Sequence, residues 1–386
     1  MADDVSALTG EIRQLTLVKD ATVNVNMKKF PHGPPTRCSK ERPLRIFPDS
    51  REVGTAFRRG LSYDMDDKRN LPLLNDDICE YISDRSKSKL IGYVGSDLSV
   101  GSDTFQPVTR EELNCLHGLL KFIDKWEADN AATYSSRAKF TIVSPRHHIL
   151  DILMAPFGSE ACQLVFTAHR GLLFITPAPC QKQTGINSPS SAIRKICYTG
   201  FELERLLTAN SGAESGSFYS LIEARLESDI KLLLQCEMDA YNPKRRKYTE
   251  IKSSIDFNVR NVQHRRKLLR IWAQTALLPA TDLLVGFRDP SLHVLKTLVP
   301  YTVDQIAQKL HIRDLARSHA ASFNFNPEVA KDWIHYAIRE ICERLSILVN
   351  ATSPSPQSFL VEIDKNLQMK IKSTPVDYSE VFGNWV

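Results

Sequence analysis

Two short acidic and basic runs lie close together in the chain, Glu237-Met238-Asp239 and, after a basic connection, Glu250-Ile251-Lys252. Residues two apart in a strand share a face, so Glu237 and Asp239 point one way, and Glu250 and Lys252 do likewise. Paired as a hairpin, the two runs would gather these carboxylates and one ammonium on a single patch. Clustered carboxylates repel, and burial drives one of them toward protonation unless a cation is present. A hard divalent ion such as magnesium or manganese resolves that conflict through the oxygen ligands it prefers. A lysine beside such a cluster holds a phosphate oxygen or orients an attacking water. The pattern suits a metal-dependent phosphodiesterase. A solvated hairpin with a charged outer face would use the same residues, so the rest of the chain has to discriminate.

The elements that must position these residues are legible in part. Ile230-Lys231-Leu232-Leu233-Leu234-Gln235 reads as a strand entering a buried sheet and delivering Glu237. Tyr241 to Lys247, with Asn242-Pro243 and then Lys244-Arg245-Arg246-Lys247, suits a turn between strands. That basic turn could track a nucleic-acid backbone, serve as a localisation patch, or simply be solvated. Upstream, Phe218 to Leu226 has a helical pattern and Tyr198 to Leu207 a short helix. Phe140 to Val143 reads as a strand followed by a helix through Leu153, entered at Pro145. The His147-His148 pair on that helix reads as polar side chains facing solvent rather than a metal site, since adjacent histidines diverge and no third metal ligand stands at useful spacing. Gln163–Phe166 and Leu172–Ile175 form a hairpin around His169-Arg170-Gly171. Leu90 to Val94 is a strand candidate, and Thr109 to Glu112 is a capping box opening a helix. Asn261 to Leu277 is a basic helix whose His264-Arg265-Arg266-Lys267 run reads as a solvated face, with contact to phosphates as the alternative. Leu283 to Arg288 and Val294 to Val299 are paired strands, and Ile334 to Leu348 marks an amphipathic helix.

Hairpins and helices mix along the length without a composition break. The expectation is an α+β fold, one domain over residues 41–386 with a central mixed β-sheet in a two-sheet core flanked by helices, behind a polar arm of residues 1–40. The 386 residues suffice for a large core. A net charge of +5 permits a nucleic-acid partner without requiring one. Eight cysteines without any C-x-x-C pair argue against a zinc module and for reduced thiols. The acidic start, Met1-Ala2-Asp3-Asp4, carries no apolar signal core, and no run reaches membrane-spanning length, so a nuclear or cytosolic protein without a membrane partner is expected.

Several segments, in order over residues 140–290, resemble the DXO/Rai-type RNA 5′-end decapping nucleases, which include fungal nuclear decapping factors that partner Rat-type 5′→3′ exoribonucleases. They are Pro145-Arg146-His147, Gly200-Phe201-Glu202-Leu203-Glu204, Glu237-Met238-Asp239, Glu250-Ile251-Lys252, Trp272-Ala273-Gln274-Thr275 and Gly286-Phe287-Arg288. The resemblance implies that Glu204, Glu237, Asp239 and Glu250, with the Ile251 carbonyl, ligate two divalent ions, Mg2+ or Mn2+. It implies that Lys252 and Gln274 hold the scissile phosphate and the attacking water, and that Arg146 binds a substrate phosphate. The reaction implied is removal of an unmethylated cap, an NAD cap or pyrophosphate from RNA 5′ ends in 5′-end quality control in the nucleus, with 5′→3′ exonuclease activity as a possible further step. The family usually shows tryptophan and glycine where this chain has Pro145 and His147, which changes the substrate-facing wall. Two other classes remain open. One is an interaction protein that stabilises a Rat-type exoribonuclease, and the other is a DNA nuclease of the acid, acid-x-lysine type.

Overall fold

The computed structural model describes residues 23–26, 45–87, 90–158, 160–179, 185–209, 216–226, 228–310, 325–350 and 353–385. Its strands, in chain order, are β1 (Val23–Asn26), β2 (Arg51–Arg59), β3 (Ser62–Met65), β4 (Phe140–Pro145), β5 (Cys162–His169), β6 (Leu172–Pro177) and β7 (Ser217–Arg225). They continue as β8 (Ile230–Glu237), β9 (Ala240–Asn242), β10 (Lys247–Ser254), β11 (Asp282–Arg288), β12 (Leu295–Tyr301), β13 (Gln357–Ile363) and β14 (Gln368–Ser373). A 10-stranded sheet runs β1-β14-β13-β5-β6-β4-β8-β7-β2-β3, and a 4-stranded sheet runs β12-β11-β10-β9. Both are mixed: β4 lies parallel to β6 and β8, and β10 parallel to β11 across the Val262–Ala276 helix. The expected α+β architecture, two sheets flanked by helices, is what forms.

The apolar run of β8 follows from its central position. Leu232, Leu234 and Cys236 face one layer, shared with Ile149, Trp272 and Trp333 of the helices Arg146–Met154, Val262–Ala276 and Pro327–Leu348. Leu233 faces the opposite layer, with Leu119, Phe174 and Phe382. A strand covered on both faces loses its polar alternation. The same cause explains β7, where a helix is expected over Phe218 to Leu226 and a strand forms instead. Phe218 and Ile222 enter one layer and Leu221 the other, so apolar residues fall at helical spacing without any helix. Leu90 to Val94 is also not a strand: Tyr93 and Val94 both donate backbone N–H groups to the Leu90 carbonyl, at 2.9 and 3.0 Å, closing a 3-10 turn at Leu90–Gly92.

Other expectations hold with altered bounds. Thr109 and Glu112 form the reciprocal capping box, but the helix ends at Asn114 and a second one runs His117–Asn130. The helix expected from Tyr198 begins at Ser191, capped by the Ser190 side chain. Asn261 caps the basic helix through the Gln263 and His264 amides. The β5–β6 turn places Arg170 and Gly171 at φ +49° and +74°, where glycine is unstrained. Of the polar N-terminal segment only β1 is described, as an edge strand antiparallel to β14; the rest of residues 1–40 lies outside the described residues. Among the described residues no helix is long and apolar enough to cross a membrane.

Candidate active site

β4 ends at Pro145, extended at φ −57° and ψ 141°, and Arg146 opens the following helix. Proline suits this junction because it has no N–H to satisfy and its φ is already fixed. Arg146 is 6% exposed, and its guanidinium spans three elements. One terminal nitrogen donates to Glu250 Oε1 at 2.6 Å and to the Gln274 carbonyl at 3.3 Å, and the other donates to the Glu237 carbonyl at 3.3 Å. The arginine expected to meet a substrate phosphate is thus also the tie between β8, β10 and the Val262–Ala276 helix.

The two acidic runs do not form the expected hairpin with one another. Glu237 closes β8 in the large sheet, opposite Tyr219 on β7, and Met238 donates its amide to Phe218 at 2.9 Å. Asp239 lies in the corner where the chain crosses to the small sheet. The hairpin starts one step later, with Ala240, Tyr241 and Asn242 of β9 facing Thr249, Tyr248 and Lys247 of β10. Glu237 and Asp239 therefore share no strand face. They are brought together by the crossing. Asp239 Oδ2 accepts from the Ile251 amide at 2.8 Å and from Lys252 Nζ at 2.7 Å. Lys252 Nζ also lies 3.1 Å from Glu250 Oε2. The basic turn is largely neutralised, with Lys244 on Glu80 at 2.8 Å and Arg245 on Asp282 at 3.0 Å.

Glu204, on the Ser191–Leu207 helix, completes the group. Burial, then the Asp239 charge, pushes its carboxyl well above the usual range against the pull of Lys252. Burial likewise pushes Asp239 up to about 6 despite Lys252. Burial alone would lift Glu250 too, but Arg146 and Lys252 outweigh it and hold this carboxyl low. Burial opposes the charge on Lys252, yet Asp239, Glu250 and Glu204 keep it firmly protonated.

The donor set fits a divalent cation. Glu204, Glu237, Asp239 and Glu250 outnumber the cations closest to them, Arg146 on Glu250, Lys252 on Asp239 and Glu250, and Arg58 near Glu237, so the ionised cluster is short of positive charge, which divalent ions would supply. Glu250 Oε2 is buried and receives no directed hydrogen bond, only the Lys252 ion pair. Among the described residues no three acidic, histidine or cysteine side chains enclose a single point, and Lys252 bridges Asp239 and Glu250. An ion would compete with Lys252 for Asp239 and Glu250.

Glu237 stands between two chambers. One, of about 360 Å³, is lined by Glu202, Glu204, Glu237 and Asp239 together with Phe105 and Phe201, whose rings lie 4.9 Å apart. The other, of about 630 Å³, is lined by Arg110, Arg146, His147, Arg270 and the expected phosphate-holding residue Gln274. Tyr198, Phe201, Glu202 and Arg205 line the first chamber from one helix, a spacing of three and four that could have flagged this wall from sequence. The histidine pair is not a solvated surface pair. His148 is 1% exposed, His147 is half-buried, their rings lie 4.1 Å apart, and both line the second chamber. The basic helix run is also less solvated than expected: Arg265 is buried, Arg266 donates to the Phe157 carbonyl at 2.7 Å, and Lys267 donates to that of Ser253 at 3.2 Å.

Comparisons with known proteins identify the family. The model of the RAI1-like PD-(D/E)XK nuclease family matches residues 58–384. The decapping and exoribonuclease protein 1 of Kluyveromyces lactis is 34% identical over 370 residues, covering 92% of this chain and 89% of the relative. Its Saccharomyces cerevisiae counterpart is 34% identical over 361 residues, covering 88% and 81%. The crystal structure of K. lactis Dxo1 in complex with manganese superposes with a TM-score of 0.74 at 31% identity, over 92% of this chain and 98% of that one. The S. pombe Rai1 crystal structure, at 16% identity, shares the fold with a TM-score of 0.65 over 92% and 100% of the two chains. The chain belongs to the RAI1-like PD-(D/E)XK nuclease family.

Proposed function

We propose that this member of the RAI1-like nuclease family hydrolyses phosphodiester or pyrophosphate linkages at RNA 5′ ends, removing an unmethylated cap, an NAD cap or pyrophosphate. The observation that carries the reading is the Asp239–Lys252–Glu250 arrangement, with ion pairs of 2.7 and 3.1 Å, set against Glu204 and Glu237 in a cluster short of positive charge. The printed names of the relatives, decapping and exoribonuclease proteins, support it, as does a manganese complex of one of them.

In this reading Glu204, Glu237, Asp239, Glu250 and the Ile251 carbonyl would hold two ions, magnesium or manganese. Bound there, the metal supplies a more acidic attacking water and charge stabilisation on the leaving oxygen. The chain's own residues do the rest. Lys252, kept protonated by its acidic neighbours, turns from Asp239 to a phosphate oxygen and holds it for in-line attack. Gln274, on the Val262–Ala276 helix, orients water or phosphate from the opposite side. Arg146 keeps β8 and β10 in register through Glu250 and the Glu237 carbonyl while presenting positive charge toward the larger chamber. Nuclear residence and association with a Rat-type exoribonuclease belong to the same reading, since cleaved 5′ monophosphates are substrates for such an enzyme class.

The test is product analysis with magnesium or manganese on one RNA sequence bearing triphosphate, unmethylated cap, methylated cap, NAD, hydroxyl or monophosphate 5′ ends. Release of an intact 5′-end group, absent from the Glu237→Gln variant, is the expected result. Folded, metal-binding protein that cleaves none of these ends would overturn the enzymatic reading in favour of an interaction protein.

A further inference from the structure

The two chambers that meet at Glu237 differ in charge. In the smaller, Glu202, Glu204, Glu237 and Asp239 face Arg205; in the larger, Arg110, Arg146 and Arg270 face Asp151 and Glu237. Without a bound cation, a polyanionic strand is repelled from the first and drawn into the second. At about 630 Å³, the larger chamber has the size of a small-ligand site.

One wall of that chamber has a fixed hydrogen-bonding polarity. The Asn114 amide nitrogen donates to the Arg110 carbonyl at 2.6 Å, which fixes the amide orientation and turns Oδ1 toward His147 Nε2, 3.0 Å away. An oxygen at that distance requires Nε2 to carry the proton. Burial, with Arg270 and Arg146 nearby, lowers His147 to about 4, so the ring is neutral and its Nδ1 is an acceptor. The buried His148 ring packs against it and has no hydrogen-bond partner at either nitrogen, so it too is a neutral support that offers no competing charge. A neutral acceptor between arginines is poorly matched to a phosphate and well matched to a base N–H.

We propose that the larger chamber is a nucleobase subsite for the nucleotide next to the scissile phosphate, in which His147, oriented by Asn114, accepts a hydrogen bond from a base N–H. His147 is then a specificity-determining residue of the reaction. The inference rests on the RNA 5′-end reading and names the part of the substrate that the chamber takes.

The experiment compares RNAs whose first nucleotide is adenosine or N6,N6-dimethyladenosine, and uridine or N3-methyluridine, using wild type, His147→Phe and His147→Gln. Wild type is expected to show a KM about tenfold higher for whichever methylated base loses its donor to His147, with kcat little changed, the size of one hydrogen bond. His147→Phe should cleave both members of each pair with equal KM, and His147→Gln, which keeps an acceptor, should restore discrimination. Circular dichroism checks that the variants fold. Equal KM values for wild type within both pairs, or discrimination that survives in His147→Phe, would overturn the subsite while leaving the enzymatic reading intact. If wild type cleaves nothing, that reading fails separately. Fluorescence anisotropy of the same labelled RNAs in chelator then decides the subsite, equal affinities of wild type within both pairs overturning it and weaker binding of a methylated RNA, lost in His147→Phe, upholding it.

Discussion

Two buried knots of charge lie on the neighbouring strands β7 and β8, and they are balanced in opposite ways. Glu223 on β7, 5% exposed, meets Arg51 at 2.9 Å, Lys231 at 3.5 Å, the Tyr134 hydroxyl at 3.1 Å and the Arg137 guanidinium. One carboxylate is over-supplied with donors; burial would raise its pKa, but the Arg51 hydrogen bond, Arg137 and Lys231 win and hold it low. At the end of β8 the ratio reverses. Glu204, Glu237, Asp239 and Glu250 share Arg146, Lys252 and, near Glu237, Arg58, and burial lifts Glu204 and Asp239. The first knot is complete and holds sheet to loop. The second is short of positive charge, which is a cost to the fold and, in the proposed function, a readiness for a cation and a phosphate.

The sharpest way to break this comparison is to remove one carboxylate from each knot. Asp239→Asn or Glu237→Gln is expected to lower kcat by about 10³-fold or more, on the scale of losing a main electrostatic contributor, while thermal melting without metal stays level or rises. Unchanged turnover in both variants would sink the assignment of the site. Glu223→Gln should do the reverse. Leaving three cations around a neutral amide is expected to cost about 3 kcal/mol of stability, read by urea unfolding, with little change in kcat at temperatures where the variant is folded. A melting curve indistinguishable from wild type would show that the knot is not structural.

Metal should separate the two regions further. Manganese at one hundred times its dissociation constant is expected to stabilise wild type by about 2.7 kcal/mol, Glu223→Gln by a similar amount, and Asp239→Asn by much less. Equal stabilisation of all three would place the ion elsewhere. The smallest effect concerns acid. Folded His147 is lowered to about 4 by burial and by Arg270 and Arg146, against an ordinary 6.5 when unfolded. Between those values the unfolded chain binds the extra proton, so the stability tied to neutral His147 is present above pH 6.5 and is lost as pH falls toward about 4. Wild type should therefore lose stability faster than His147→Gln over that window. The Glu223→Gln deficit should stay constant through the upper part of that window and shrink as pH falls through 4.5, where the unfolded chain protonates Glu223 before the folded protein, which holds it low, does. Parallel pH curves for wild type and His147→Gln would count against a neutral buried imidazole.

How much of this was legible in the sequence depended on whether the signal was local. The capping box at Thr109 and Glu112 is a contact three residues long and was readable as written. The β5–β6 hairpin announced itself through Arg170-Gly171, where positive φ favours glycine. The identities Glu237, Asp239, Glu250 and Lys252 were visible because acids next to a very apolar run are unusual in any buried strand. β7 was misread because both of its faces are covered, so its apolar residues carry no period of two. The pairing of Glu237 with Asp239 on one strand face was misread because nothing local marks the point where a chain leaves one sheet for another.

The sequence by itself determined which groups could do chemistry, and that they sit at the end of a buried strand, because residue type and short-range spacing are local properties. The tertiary structure decided how they meet. Arg146 and Glu250 are 104 positions apart, yet their side chains lie 2.6 Å from each other. Asp239 reaches Lys252 only because the chain turns from β8 into β9, and His147 becomes a neutral wall only because Asn114 and a second buried ring enclose it. Charge balance, burial and the division into two chambers are sums over distant elements, and they exist only once the sheets and helices have packed.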